Sequence, residues 1–313
     1  MNRQGIVKLT VVFLFACIVL GAVFVFLKSS NSSIIEIAKN KKEIFYPKQK
    51  QVTEDLNLIS TTTSYFSVFI GKDGNSKILT EKYEKTRKRI ASITKLISAM
   101  IIKDNLKDSD VITISRENTM DSGNFGNFKE GESFFAKDLI KAVLIPSDNV
   151  AVRAFAEKIG KEDFVSLMNR KVLKIGMKNS YFSNPSGLDY PPYEFDFNYS
   201  TPEDIALAIF YINNNYPDLL TLMSLEKTEI CNTKGNNCKI FLSTDLLLNS
   251  PDFPFRIMGA KTGDTLRARK NLAMIIESPE NQGIIINVII DSLDHFTDMK
   301  KLTNWVVNSY DWK

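Results

Sequence analysis

The sequence has only one histidine, His295, and three cysteines in 313 residues. A metal centre built on two or more histidines is therefore excluded, and Cys17, Cys231 and Cys238 are badly spaced for zinc. Cations outnumber carboxylates by only four and are scattered along the chain, so the clustered basic stripe of a nucleic-acid partner is missing. Disorder is excluded as well, since 44% of residues are apolar and 24% charged, the usage of ordinary globular chains. Nothing in the sequence calls for a cofactor. The chemistry must come from hydroxyls, amines and carboxylates.

One long apolar run is present. Residues 9–27, Leu9 to Leu27, carry no charge, and that length suffices to span a membrane. Arg3 and Lys8 precede it, which keeps residues 1–8 in the cytoplasm and exports the rest. A cleaved signal peptide is the rival reading, although its apolar region is usually only about 7–15 residues long. Residues 28–55 are polar and lysine-rich and read as a linker, or in part as a first helix. The expected location is thus the cell membrane, crossed once, with residues 56–313 as an extracytoplasmic catalytic domain.

Periodicity supplies the elements. Tyr65–Ile70 and Lys77–Thr80, joined across Gly71 to Gly74, read as a hairpin. Ser92 opens a helix whose apolar residues Ile93, Leu96, Ile97, Met100 and Ile101 share one face. Further helices are expected over Ala136–Leu144, stopped by Pro146, over Asn149–Ile159, closed by Gly160, and around Phe164 to Val172, ended near Gly176. Another begins at Ser200, read as a cap, with Pro202 and Glu203 completing its first turn. The last third reads as strands at 227–231, 238–242, 256–262, 271–277 and 284–291, before a final amphipathic helix carrying Leu302, Trp305, Val306 and Tyr310. These imply an α+β fold, a mostly antiparallel sheet flanked by helices with a helical lobe beside it and a cleft between them. Cys231 and Cys238 flank a turn at Gly235, where facing hairpin positions can form a disulfide.

Three short motifs occur in order: Ser92-Ile-Thr-Lys95, Ser147-Asp148-Asn149 and Lys261-Thr262-Gly263. On a helix, residues three apart share a face, so Lys95 can reach the Ser92 hydroxyl. That hydroxyl becomes a nucleophile only when a neighbouring base takes its proton. Lysine serves as that base if burial or a nearby cation such as Lys261 lowers its pKa. The unpaired N–H groups at the start of the helix can hold a developing oxyanion. Ser147, behind Pro146, can relay a proton to a leaving amine. Lys261 and Thr262 can hold a carboxylate, with Gly263 allowing close approach of a peptide backbone.

With these motifs, Gly131-Glu132, Met168-Asn169, Gly176-Met177, Asn184-Pro185-Ser186-Gly187-Leu188 and Tyr199-Ser200-Thr201, the stretch from Tyr65 to Trp305 resembles the low-molecular-weight penicillin-binding proteins, the serine-type D-alanyl-D-alanine carboxypeptidases. The resemblance implies the β-lactamase/transpeptidase-like fold, peptidoglycan stem peptides ending in D-Ala-D-Ala as substrate, and β-lactam antibiotics as inhibitors. By position it implies Ser92 as acyl-enzyme nucleophile, Lys95 as base, Ser147 and Asn149 in proton-relay and substrate-amide roles, and Lys261 and Thr262 at the terminal carboxylate. The backbone N–H groups of Ser92 and Asp264 would form the oxyanion hole. His295 stands where the family usually carries an arginine and becomes a candidate for carboxylate binding. Asp148 replaces a common glycine, and Glu194 with Asn198 shows the spacing of a β-lactamase deacylation pair. The same residues would serve a transpeptidase, an endopeptidase, a β-lactamase or a non-enzymatic penicillin sensor.

Overall fold

The computed structural model describes residues 45–51, 55–120, 123–190 and 197–313. The run Leu9–Leu27, most of the 28–55 linker and Glu194 lie outside the described residues. The chain divides into two units, Met1–Phe45 and Tyr46–Lys313, and the strands and helices of the described residues all belong to the second. Among the described residues no helix is long and apolar enough to cross a membrane.

In chain order, β1 (Lys48–Gln49) precedes the hairpin β2 (Ser64–Gly71) and β3 (Ser76–Lys82), then the short β4 (Lys88–Arg89). A 3-10 turn, Ala91–Thr94, runs straight into α1 (Lys95–Asn105). The ribbon β5 (Val111–Thr113) and β6 (Ser133–Phe135) leads to α2 (Ala136–Leu144), α3 (Asn149–Ile159) and α4 (Lys161–Ile175). After β7 (Tyr199–Ser200) come α5 (Pro202–Asn215) and α6 (Pro217–Met223), then β8 (Lys227–Ile230) and β9 (Lys239–Leu242). The chain closes with β10 (Ile257–Thr265), β11 (Arg269–Glu277), β12 (Gly283–Ser292), α7 (His295–Ser309) and β13 (Tyr310–Asp311).

The main sheet has the order β10-β11-β12-β2-β3, antiparallel throughout. Its first and last hairpins are sequence-local, and only the β12–β2 pairing spans the chain. Along β12 the side chains alternate faces. Ile286, Val288 and Ile290 join the core beneath α5 with Ile205, Ile209 and Ile212, whereas Asn287 donates to Thr303 on α7 at 3.0 Å. Both faces are therefore covered, which accounts for a strand that is apolar from Ile284 to Ile290 at every position but Asn287. The helical lobe forms around α1, whose residues from Lys95 to Ile102 are all buried. A helix buried on every side must sit at a centre, and α1 packs against α2, α3, α4 and α5.

The expected helices over Ala136–Leu144 and Asn149–Ile159 are found at those limits. Three details differ. Ser92 lies in the 3-10 turn, and α1 begins only at Lys95, because Ala91 enters the left-handed region at φ 47° and delays regular helix. The cap of α5 is Thr201, which accepts from Asp204 N at 3.2 Å; Ser200 belongs to β7, paired with Lys88, and its hydroxyl meets that of Ser180 at 2.7 Å. Helix α6 starts at Pro217, a residue suited to a first helical position. Cys231 and Cys238 are disulfide-bonded across the β8–β9 hairpin. Lys48–Gln49, from the segment read as linker, pairs with Tyr310–Asp311.

A buried hydrogen-bonded chain crosses the sheet. Ser67 donates to Asn287 Oδ1 at 2.6 Å, and Asn287 donates onward to Thr303. Replacing Asn287 by Ala leaves two buried hydroxyls short of a partner and opens a void. The expected loss is about 2–4 kcal/mol of unfolding free energy in chemical denaturation, with acylation by penicillin unchanged in the fraction that remains folded.

Candidate active site

Ser92 is half-buried on a turn held from two sides. Gly263 on β10 packs so closely that a Cβ there would lie 2.6 Å from Ile90 O and 3.1 Å from Ile93 N. Gly187, at φ 83°, faces the other side, where a Cβ would fall 1.9 Å from Ala91 O. Only glycine fits either place, so backbone lies directly against the serine's turn on both sides. This contact sets β10 at Gly263 against the backbone of the turn that carries Ser92.

Lys95 is completely buried, with four oxygens around its amine. Nζ lies 2.7 Å from Ser92 Oγ, 2.6 Å from Asn149 Oδ1, 3.2 Å from Ser186 O and 3.5 Å from Ser147 Oγ. Burial holds its pKa well below the ordinary lysine value, and the charge of Lys261 lowers it further. In the neutral amine the two N–H bonds are taken by Asn149 Oδ1 and Ser186 O, which can only accept. The lone pair is then left to face the Ser92 hydroxyl.

Ser147 bridges the two lysines. Its Oγ accepts from Lys261 Nζ at 2.8 Å, and its backbone is left-handed at φ 63°, a conformation that costs about 1–3 kcal/mol outside glycine and persists only when the surroundings impose it. Part of that imposition comes from Asp148. Its carboxylate caps α3 by accepting from Ala151 N and also accepts from Gly126 N, both at 2.8 Å. The acidic residue between Ser147 and Asn149 is thus a buried backbone clamp, and burial raises its pKa.

Lys261 is also fully buried, and burial brings its pKa down to about 7. The opposing influence is Asp245, itself raised by burial to about 6, with an Oδ2 that has no hydrogen-bond partner among the described residues. Thr262 Oγ1 and Thr244 Oγ1 are 2.5 Å apart. The pair Thr244-Asp245 belongs to none of the three motifs; its one signal in the sequence is a carboxylate set directly before Leu246, Leu247 and Leu248.

The remaining candidates separate clearly. Asp264 is exposed and pairs with its cross-strand neighbour Lys270 at 2.9 Å, so its carboxylate does not crowd the site. His295, the candidate for carboxylate binding, is the first residue of α7 and is buried. Burial and the nearby charge of Lys270 push its pKa down to about 4. It is a neutral imidazole and cannot stand in for an arginine as a cation. Asn198 is occupied as scaffold: its amide donates to Thr94 Oγ1 and Asn184 O, both at 2.9 Å, and its Oδ1 accepts from Ser183 N at 2.8 Å. Asn184 in turn accepts from Gly187 N at 2.8 Å, and these bonds hold the loop that presents Ser186 O to Lys95.

Comparison with known proteins agrees with this geometry. Residues 56–293 match the D-alanyl-D-alanine carboxypeptidase family, and the chain belongs to it. It is 28% identical over 247 residues to a D-alanyl-D-alanine endopeptidase of Pseudomonas aeruginosa, covering 77% of this chain and 76% of that one. It is 28% identical to the D-alanyl-D-alanine carboxypeptidase DacA of Haemophilus influenzae over 76% of this chain, and it spans only 60% of that relative's length. Penicillin-binding protein 5 of Haemophilus influenzae superposes with a TM-score of 0.68 at 25% identity, over 81% of this chain and 72% of that structure.

Gly187→Ala forces a Cβ into Ala91 O, and stability should fall by about 2–4 kcal/mol in chemical denaturation, with the acylation rate dropping more steeply than the folded fraction. Lys261 prefers its neutral form in the folded protein, so between pH 7 and its ordinary value of 10.5 the unfolded chain binds more protons. Its contribution to stability therefore grows as pH rises through that window. Melting temperatures compared across pH should show this rise in the parent chain and a weaker one in Lys261→Met.

Proposed function

We propose that this chain is a serine-type D-Ala-D-Ala carboxypeptidase acting on peptidoglycan stem peptides through an acyl-enzyme on Ser92. The observation that carries the reading is the 2.7 Å contact between Ser92 Oγ and a buried Lys95 amine whose pKa is held down. Lys95 takes the hydroxyl proton as Oγ attacks the carbonyl carbon of the penultimate D-Ala. The oxyanion is met by the N–H groups of Ser92 and Asp264. As the tetrahedral intermediate collapses, the C–N bond breaks and the departing D-Ala nitrogen takes a proton from Ser147, which is resupplied from the lysine amines it bridges. Water then attacks the ester, with Lys95 again as base, and frees the shortened peptide and Ser92.

Lys261 and Thr262 receive the terminal carboxylate, and Asn149 meets a substrate amide. An arriving carboxylate favours the charged form of Lys261. That charge, in turn, keeps Lys95 neutral, so substrate binding prepares the base. His295 beside this end of the sheet contributes a neutral ring at most. The apolar run Leu9–Leu27 is proposed to tether the catalytic domain to the outer face of the cell membrane, supported by its length and the preceding Arg3 and Lys8.

A second reading, cleavage of cross-linked peptides, is favoured by the likeness to the Pseudomonas aeruginosa endopeptidase. Product analysis separates the two, as free D-Ala from a pentapeptide or as monomers from a cross-linked dimer. The acyl-serine chemistry common to both is tested by intact-mass spectrometry with benzylpenicillin. One adduct per chain is expected, mapping to Ser92 and absent in Ser92→Ala; Lys95→Met should slow its formation by at least about a hundredfold. An adduct that survives Ser92→Ala would rule the mechanism out.

A further inference from the structure

Asp245 is a buried carboxylate that lies outside the three motifs and takes no part in the proton transfers at Ser92. Its loop, which follows β9, is fixed by hydrogen bonds. Thr244 N donates to Ile145 O at 3.1 Å, just ahead of Ser147, and Asp245 N donates to Ser243 Oγ at 3.1 Å. Thr244 Oγ1 meets Thr262 Oγ1 at 2.5 Å, so the residue before Asp245 touches the residue after Lys261. Of the two carboxylate oxygens, Oδ1 accepts from Leu247 N at 3.0 Å, whereas Oδ2 is buried without a hydrogen-bond partner among the described residues. Burying a carboxylate half-satisfied costs stability that an apolar side chain would not cost.

Lys261 is incomplete in the opposite sense. A charged amine has three N–H bonds; Nζ gives one to Ser147 Oγ at 2.8 Å and one to Thr262 O at 3.1 Å, and the third has no partner among the described residues. Receiving a substrate carboxylate there requires the charged amine. Burial opposes that form, and the charge of Asp245 is what acts against the burial. The other ionisable groups packed around β10 and the loop are engaged elsewhere. On β11, Arg269, Lys270 and Glu277 pair with Asp291, Asp264 and Arg256. On α6, Asp218 pairs with Lys103, and on α2, Lys141 pairs with Asp138. Glu226, whose backbone carbonyl holds the loop at Ser243, is exposed and accepts from Asn249 at 2.5 Å. Asp148 is committed to two backbone N–H groups, and Lys95, across Ser147, brings no negative charge.

We propose that Asp245 is a positioning residue for this reaction, a buried counter-charge that keeps the Lys261 amine protonated and so ready to receive the terminal carboxylate of the substrate. The role rests on the reaction proposed at Ser92. It acts on binding rather than on bond breaking, because Asp245 reaches the substrate only through Lys261. It also gives the half-satisfied carboxylate a reason to be where it is.

The test compares acylation by benzylpenicillin with acylation by its methyl ester, which lacks the carboxylate, from pH 5 to pH 9. The parent chain, Asp245→Asn and Asp245→Ser are measured, and the quantity read is the ratio of second-order rate constants, acid over ester. Such constants follow the ionisation of the free enzyme. In the parent chain the ratio should fall as pH rises through about 7, where Lys261 loses its proton. Without the charge of Asp245 the fall should come about one pH unit earlier, lowering the ratio about tenfold at pH 8. At pH 5 the three chains should agree, because Asp245, raised to about 6, is then itself protonated. A side chain that only shaped its loop would slow acid and ester alike, and an unshifted ratio in the variants overturns the role while leaving the serine mechanism standing. A parent ratio that is flat across the range overturns it as well, whether or not the variants fold. A parent chain that benzylpenicillin does not acylate at Ser92 overturns the mechanism and the role together.

Discussion

Two lysine amines share one serine hydroxyl inside this protein, and charge on Lys261 disfavours charge on Lys95. Each is buried to about 1% exposure or less, and each loses affinity for its proton through desolvation. The rest of the architecture answers to that constraint. Lys95 must come from a helix with no solvent-facing side, and α1 is such a helix. Lys261 must arrive from the sheet, and β10 delivers it by packing glycine backbone against the turn of Ser92. The site exists only while lobe and sheet are pressed together, which links catalytic competence to global stability rather than to the shape of any one loop.

The direction of proton flow is set by acceptors that cannot give a proton back. Asn149 Oδ1 and the Ser186 carbonyl occupy the Lys95 N–H bonds, so the single remaining valence points at the nucleophile. Asn184 and Asn198 hold that carbonyl in place from below the loop. Ser147 accepts the strained left-handed conformation because Asp148 anchors the backbone on its far side. An acidic residue in a region that must bind anions is reconciled with function by spending both its oxygens on backbone N–H groups.

Much of this was legible in the sequence wherever the cause is local. The ends of α2 and α3 follow from Pro146 and Gly160, and the i,i+3 spacing of Ser92 and Lys95 survives although the turn is 3-10 rather than α. The disulfide follows from two cysteines facing across a short turn. What stayed hidden depends on partners far along the chain. The protonation of His295 is decided by how deeply α7 is seated, and the harmless exposure of Asp264 by its neighbour Lys270. Thr244 and Asp245 matter only because their loop is folded against β10. The bond between Arg89 and Asp189 spans 100 residues. Periodicity carries no information about such meetings.

The two-residue pairing of β1 with β13 has a mechanical consequence. Force entering the domain through its N-terminal side reaches, in order, Lys48–Gln49, then the Ile59 N–H bonded to Asp298 at 2.8 Å, and only then β2 in the main sheet. The first of these is by far the weakest, a pair of residues against the eight-residue register joining β2 to β12. It can open while the eight-residue register of β2 with β12 stays paired. The short strand is thus the first pairing to yield, ahead of the sheet that carries Lys261.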